Sequence, residues 1–261
     1  MNVTLVAVLA RTDLAAGLGA QDQLLARRIA GELTLYGVDI LPRQLFQGPS
    51  GRRLARLACE DIEGIRRMAD CFADREHTVT VSEEVEEPAT EEGGEPTTKS
   101  VTREETLTTK PRVLELAEGH GMVSLVCALI WPDIDFVVSD NDEGRRWLWR
   151  RMLISLGARN VRLLARHQRI APGEWDVVLV KDMAPPKAMD LAGSLLAAGG
   201  NLLLWQDRRQ AKGLRRRHLD ARSQPLHLAD AVAMESPCAD GRLVARVSSG
   251  SGNLDSGADE A

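Results

Sequence analysis

Two carboxylates, Glu115 and Asp140, stand at the ends of two short apolar runs, and Gly119 and Gly121 follow the first run closely. That set can do a recognisable piece of chemistry. A turn without side chains lets the backbone approach a ligand, and a carboxylate at the tip of a strand can accept both hydroxyls of a ribose. No histidine or cysteine spacing suits a metal, so no metal site is expected. His120 in the turn reads as filler, not as a catalyst.

The elements that must hold these residues follow from the patterning. Val113, Leu114 and Leu116 predict a strand ending near Glu115, Met122–Ile130 a buried helix stopped by Pro132, and Ile134–Val138 a second strand ending on Asp140. Strand, glycine turn, helix and strand with a terminal acid form a mononucleotide-binding half unit of a doubly wound sheet. The alternation continues. A helix is expected from about Glu143 to Gly157, then strands at Val161–Leu164 and Trp175–Val180, the latter leading to Lys181 and Asp182. A helix over Pro186–Ala198 closes at Gly199–Gly200 and is followed by a strand, Asn201–Trp205. Leu226–Met234 and Arg242–Val247 predict an antiparallel hairpin turning at Asp240–Gly241. The fold class expected is therefore α/β: a Rossmann-like, mostly parallel sheet with helices on both faces and an antiparallel C-terminal hairpin.

Upstream of this domain (111–248) the sequence changes character. Residues 1–76 read as helical: Leu24, Leu25, Ile29, Leu33 and Tyr36 fall at helical spacing, and so do Leu54, Leu57, Ala58, Ile62, Ile65, Met68 and Phe72. Residues 77–110 are either a disordered acidic linker or a projecting polar hairpin, with Glu92–Gly93–Gly94 as its turn. The tail, 249–261, has a disordered composition.

Ser82–Glu105 carries nine glutamates against Lys99 and Arg103, a local balance of −7 in a chain of net charge −5, which leaves the other residues at +2. Charge that matters to a polyanion is therefore local. Arg208, Arg209, Lys212, Arg215, Arg216, Arg217 and Arg222 form one basic run after the fifth sheet strand, and Arg145, Arg146, Arg150 and Arg151 form a second cluster. Cys59, Cys71, Cys127 and Cys238 are scattered and read as reduced structural thiols. No run reaches the ~20 apolar residues of a membrane helix, Val3–Ala10 lacks a basic leader, and a cytoplasmic location is expected.

Gly119-His-Gly121-Met-Val-Ser124 approaches the G-x-G-x-x-G of dinucleotide-binding domains, which keeps an NAD-dependent oxidoreductase among the readings. Three features point elsewhere: the acid Glu115 before the turn, Gly199–Gly200 before the fifth strand, and a sheet that ends in a hairpin. Together they resemble the class I S-adenosylmethionine-dependent methyltransferases, whose first motif reads here Val113-Leu114-Glu115-Leu116-Ala117-Glu118-Gly119-His120-Gly121. With Val180-Lys181-Asp182-Met183-Ala184-Pro185 and Gly199-Gly200-Asn201-Leu202-Leu203, the stretch Arg112–Val247 is most similar to the small-subunit rRNA methyltransferase G family (glucose-inhibited division protein B). Members of that family methylate N7 of a guanine in 16S rRNA.

The resemblance implies S-adenosylmethionine as cofactor and RNA, specifically rRNA, as partner. It implies that Glu115 and the backbone of Ala117, Gly119, Gly121 and Met122 hold the methionine end. Asp140 would take the ribose, and Gln168 and Arg169 would lie by the adenine. Lys181 stands in place of a family arginine as the catalytic-site cation, and Arg208, Arg209, Lys212, Arg215 and Arg216 would meet RNA. Ala117 replaces the motif's first glycine, and a left-handed backbone there would cost about 1 kcal/mol or more. A second expectation, prompted by that turn and by the acidic segment, is a methyltransferase-fold protein that has lost catalysis and serves as a binding or assembly module.

Overall fold

The computed structural model describes residues 18–37, 39–41, 52–87, 97–118, 122–206, 226–233 and 243–249. The chain divides into two compact units, Phe72–Pro111 alone and Met1–Cys71 together with Arg112–Ala261.

The smaller unit is a two-stranded antiparallel ribbon. Strands β1 (Arg75–Glu87) and β2 (Thr97–Thr109) pair antiparallel along their full length, from Arg75↔Thr109 to Glu87↔Thr97. Threonine and valine spaced by two suit an extended backbone, and the polar alternate positions suit a ribbon with solvent on both sides. The proposed turn residues Glu92–Gly94 lie outside the described residues.

The larger unit is built on a seven-stranded sheet of order β5-β4-β3-β6-β7-β9-β8. Its strands are β3 (Val113–Leu116), β4 (Phe136–Ser139), β5 (Val161–Leu163), β6 (Trp175–Lys181), β7 (Leu196–Gln206), β8 (Leu226–Ala233) and β9 (Leu243–Ser249). The first five run parallel, and β9 runs antiparallel to both β7 and β8. The fold is thus α/β and Rossmann-like, closed at one side by an antiparallel hairpin. The order reverses between β3 and β6, and the crevice outside the carboxyl ends of those strands is the switch point where open α/β sheets bind ligands.

Strand alternation sorts the core into two layers. Leu114, Leu116, Val178, Val180, Leu202 and Leu204 share one apolar cluster with Ala188, Met189 and Ala192 of α5 (Pro185–Gly193). The intervening residues, including Glu115, Lys181 and Trp205, point to the opposite face. There lie α2 (Arg52–Arg67) and α3 (Val123–Ile130). Helix α1 (Ala20–Tyr36) joins α2 through Asp22, whose carboxylate accepts two bonds from Arg66 at 2.8 and 3.1 Å. It also joins α4 (Glu143–Leu156), where Arg28 donates to the carbonyls of Ser155 and Leu156. Helix α4 begins on an Asp142 cap that accepts from the Arg145 amide at 2.8 Å and ends on left-handed Gly157, φ 74°.

One expectation is corrected. Gly199 and Gly200 do not close a helix; α5 ends earlier, at Gly193, and both glycines lie inside β7. The ladder slips between Trp175 and Val177. A side chain on Gly200 would sit 2.9 Å from the carbonyls of Ala197 and Trp175, so glycine is demanded by backbone packed on backbone at an irregularity. Among the described residues no helix is long and apolar enough to cross a membrane.

Candidate ligand crevice at the sheet's switch point

The crevice begins with the helix that follows β3. Helix α3 has no side-chain cap of its own, so its first amides need partners from elsewhere. Glu115 supplies two, accepting from Val123 at 3.3 Å and from Ser124 at 2.6 Å. Asp61 of α2 supplies the third, accepting from the Met122 amide at 3.4 Å. These carboxylates also sit favourably against the positive end of the helix.

Asp61 has a second partner. Lys181, at the end of β6, donates to it at 2.5 Å and lies 3.6 Å from Glu60. All of these side chains are buried, and Arg56 pairs with Glu60 at 2.9 Å from the rim. Burial alone would strip Lys181 of its proton, but Asp61, Glu60 and Asp182 together hold its pKa above the ordinary lysine value. Burial pushes the Asp61 carboxyl up, against the pull of Lys181. It pushes Glu115 up to about 7, against the Ser124 and Val123 amides that favour its ionised form. Three carboxyls, Glu60, Asp61 and Glu115, therefore face two cations, Lys181 and Arg56.

Asp140 closes β4 and is equally buried. Its carboxylate accepts the amide of Asp142 at 2.9 Å and a two-pronged grip from Arg145, Nε to Oδ2 at 3.0 Å and Nη2 to Oδ1 at 2.9 Å. Arg145 also reaches the carbonyl of Ala117 at 3.3 Å, so one guanidinium spans the tips of β3 and β4. Arg146 does the same one strand further out, donating to the carbonyls of Asp140 and Leu164. The strand-tip acid is in place, and it is already occupied by a side chain of this chain.

The other expected residues fall as follows. Ala117 is buried, donates to the Ser139 carbonyl at 2.9 Å and does not take a positive φ, so the anticipated strain is absent there. Left-handed non-glycine residues occur instead at His167 and Asp182, just after β5 and at the exit of β6. Met122 forms a buried apolar wall. Gln168 and Arg169 are exposed in the loop after β5, with Gln168 turned back onto the Ala165 amide at 3.0 Å. Lys181 is sealed beneath α2, bonded to Asp61 and not to its neighbour Asp182. Gly119, His120 and Gly121, and the run containing Arg208, Arg209, Lys212, Arg215 and Arg216, lie outside the described residues. Trp205 is a core side chain, donating to the Glu60 carbonyl at 3.3 Å.

Sequence reasoning missed Asp61 and Glu60. The signal was present: Asp61 lies four residues after Leu57 and four before Ile65, on the apolar stripe of α2, where an acid needs a buried partner.

No family model matches the chain, and no curated protein sequence matches it. Among solved structures it is similar to M. jannaschii TYW2 in complex with AdoMet, at 12% identity and a TM-score of 0.40 over 53% of this chain and 67% of that one. TrmN from Thermus thermophilus follows at 24% identity and 0.38, over 53% of this chain and 44% of that one. The tRNA (m1A58) methyltransferase TrmI from Aquifex aeolicus stands at 14% and 0.38, over 53% and 62%. The match covers less than half of TrmN's length, and the fold assignment rests on this chain's own strand order.

Proposed function

We propose that this protein binds S-adenosylmethionine at the β3/β4/β6 crevice and transfers its methyl group to RNA, with N7 of a guanine in 16S rRNA as the target that the rRNA methyltransferase G resemblance favours. One observation carries the reading. At the switch point of a sheet with this order, the buried carboxyls of Glu60, Asp61 and Glu115 outnumber the cations beside them, which suits a cationic sulfonium. Asp140 suits a ribose in position and chemistry, provided Arg145 withdraws. That guanidinium is 24% exposed and has solvent to move into.

Guanine N7 is already nucleophilic, so the transfer asks for in-line alignment and no general base. Lys181 then acts through Asp61, holding the carboxylate that caps α3, and is a positioning residue. A cytoplasmic location agrees with an rRNA substrate.

A second reading is favoured by a specific contact. If Arg145 never leaves Asp140, the protein is a methyltransferase-fold binding module. Calorimetric titration with S-adenosylhomocysteine and with NADH separates the two. Binding of the first, abolished in Asp140→Ala, supports the enzyme. No binding to the parent but binding to Arg145→Ala identifies Arg145 as a plug. Binding of neither compound to either protein would end the cofactor reading, and binding of NADH alone would replace it.

A further inference from the structure

Between Glu143 and Glu174 the chain runs thirty residues without a single aspartate or glutamate, although 38 acids in 261 residues would place about four there. The same span holds eight arginines. Arg145 and Arg146 turn inward to the strand tips, as described. The other six, Arg150, Arg151, Arg159, Arg162, Arg166 and Arg169, are exposed on α4, on the edge strand β5 and on the loops around it. None of these six forms an ion pair among the described residues. Six exposed guanidinium groups that form no ion pair among the described residues, on and beside the edge strand of the sheet, favour a polyanion.

Aromatic groups sit beside the band. Trp147 is 44% exposed and meets Tyr36 edge-to-face at 6.5 Å, while the guanidinium of Arg151 lies over both rings, at 5.5 and 5.6 Å. Flat faces held by a stacked arginine next to phosphate-binding cations are what unpaired bases use. Trp147 follows Arg145 by two residues on α4, so the inward-turned cation and the exposed ring lie on different faces of that helix. We infer that α4, β5 and the loop after it form a docking face for single-stranded RNA. Its cations would hold phosphates, and Trp147 and Tyr36 would receive a base. This face would present RNA to the proposed reaction, yet it requires no cofactor and stands even if the protein proves catalytically silent.

The test is fluorescence anisotropy of the full chain with a labelled single-stranded RNA, with the same sequence as a duplex, and with poly-glutamate as competitor, across a salt series. Arg159→Gln, Arg162→Gln and Arg166→Gln combined should flatten the log–log salt slope by about 2, at ~0.7 per phosphate contact. Trp147→Ala should weaken single-strand binding about five-fold or more with the slope unchanged, and Trp147→Phe should recover most of it. A triple variant that binds RNA with the parent's affinity and slope overturns the proposal. So does a Trp147→Ala variant that loses duplex and single strand equally, or poly-glutamate that competes as well as RNA, which would make the partner an acidic protein. S-adenosylhomocysteine titration of the same variants keeps the two readings apart, because none of the substituted residues is among those assigned to the cofactor.

Discussion

At the scale of single residues, Glu115 is the group whose chemistry is easiest to read out. Its folded-state pKa of about 7 lies above the ordinary 4.5, so the native protein holds a proton that the unfolded chain releases. Stability from this group is therefore complete below about pH 4.5 and is lost as pH rises through about 7, a change on the order of 3 kcal/mol. Urea unfolding across that window should show stability falling with pH. Glu115→Gln should flatten the fall without removing it, because burial also raises the Asp61 carboxyl. A cation held beside Glu115 would favour its ionised form. The affinity ratio of S-adenosylmethionine to S-adenosylhomocysteine should then grow between about pH 6 and pH 8; a flat ratio would place the sulfonium away from this acid.

At the scale of elements, the packing of α2 on the sheet turns on one glycine. A methyl group on Gly64 would lie 2.5 Å from Nε1 of Trp205 and 2.9 Å from Cε2, and that ring is fully buried and rigid. Gly64→Ala should destabilise by about 1–3 kcal/mol through overpacking. Gly31→Ala in α1, where nothing lies within 4 Å of the new methyl, should stabilise by about 0.5–1 kcal/mol through helix propensity. Thermal melts of the two variants should move in opposite directions. The contrast explains what the sequence could reveal. Periodicity located β3, α3, β4, α4 and β6 within a few residues, because each buries a regular apolar face. Gly199–Gly200 misled because a strand irregularity and a helix stop use the same residue. The contact of α2 with β6 was illegible for a different reason: pairing Asp61 with Lys181 joins positions 120 apart in sequence, and no local pattern encodes the partner. Arg145 shows the same limit. Its spacing marks it as a surface cation of α4, yet it turns back onto Asp140.

At the scale of the whole molecule, charge is divided between the acidic ribbon and the rest of the chain. The ribbon's register places Glu76, Thr78, Thr80 and Ser82 opposite Thr108, Thr106, Glu104 and Thr102, a wholly polar face, while Val79 and Leu107 are exposed at 39% and 47%. Two strands so poor in buried surface contribute little to a shared core. Pairing of Arg75 with Thr109 leaves the ribbon's two ends about 5 Å apart, so a Gly-Gly link can replace residues 76–108 without straining the chain. That excision removes ten acids against Lys99 and Arg103, taking the net charge from −5 to +3. The excised protein should unfold cooperatively with a midpoint close to the parent's. It should bind single-stranded RNA more tightly at low salt, the difference fading as screening rises. Equal RNA affinity at low salt would show that the ribbon's field does not reach the arginine band. Loss of cooperative unfolding would show that the sheet depends on the ribbon after all.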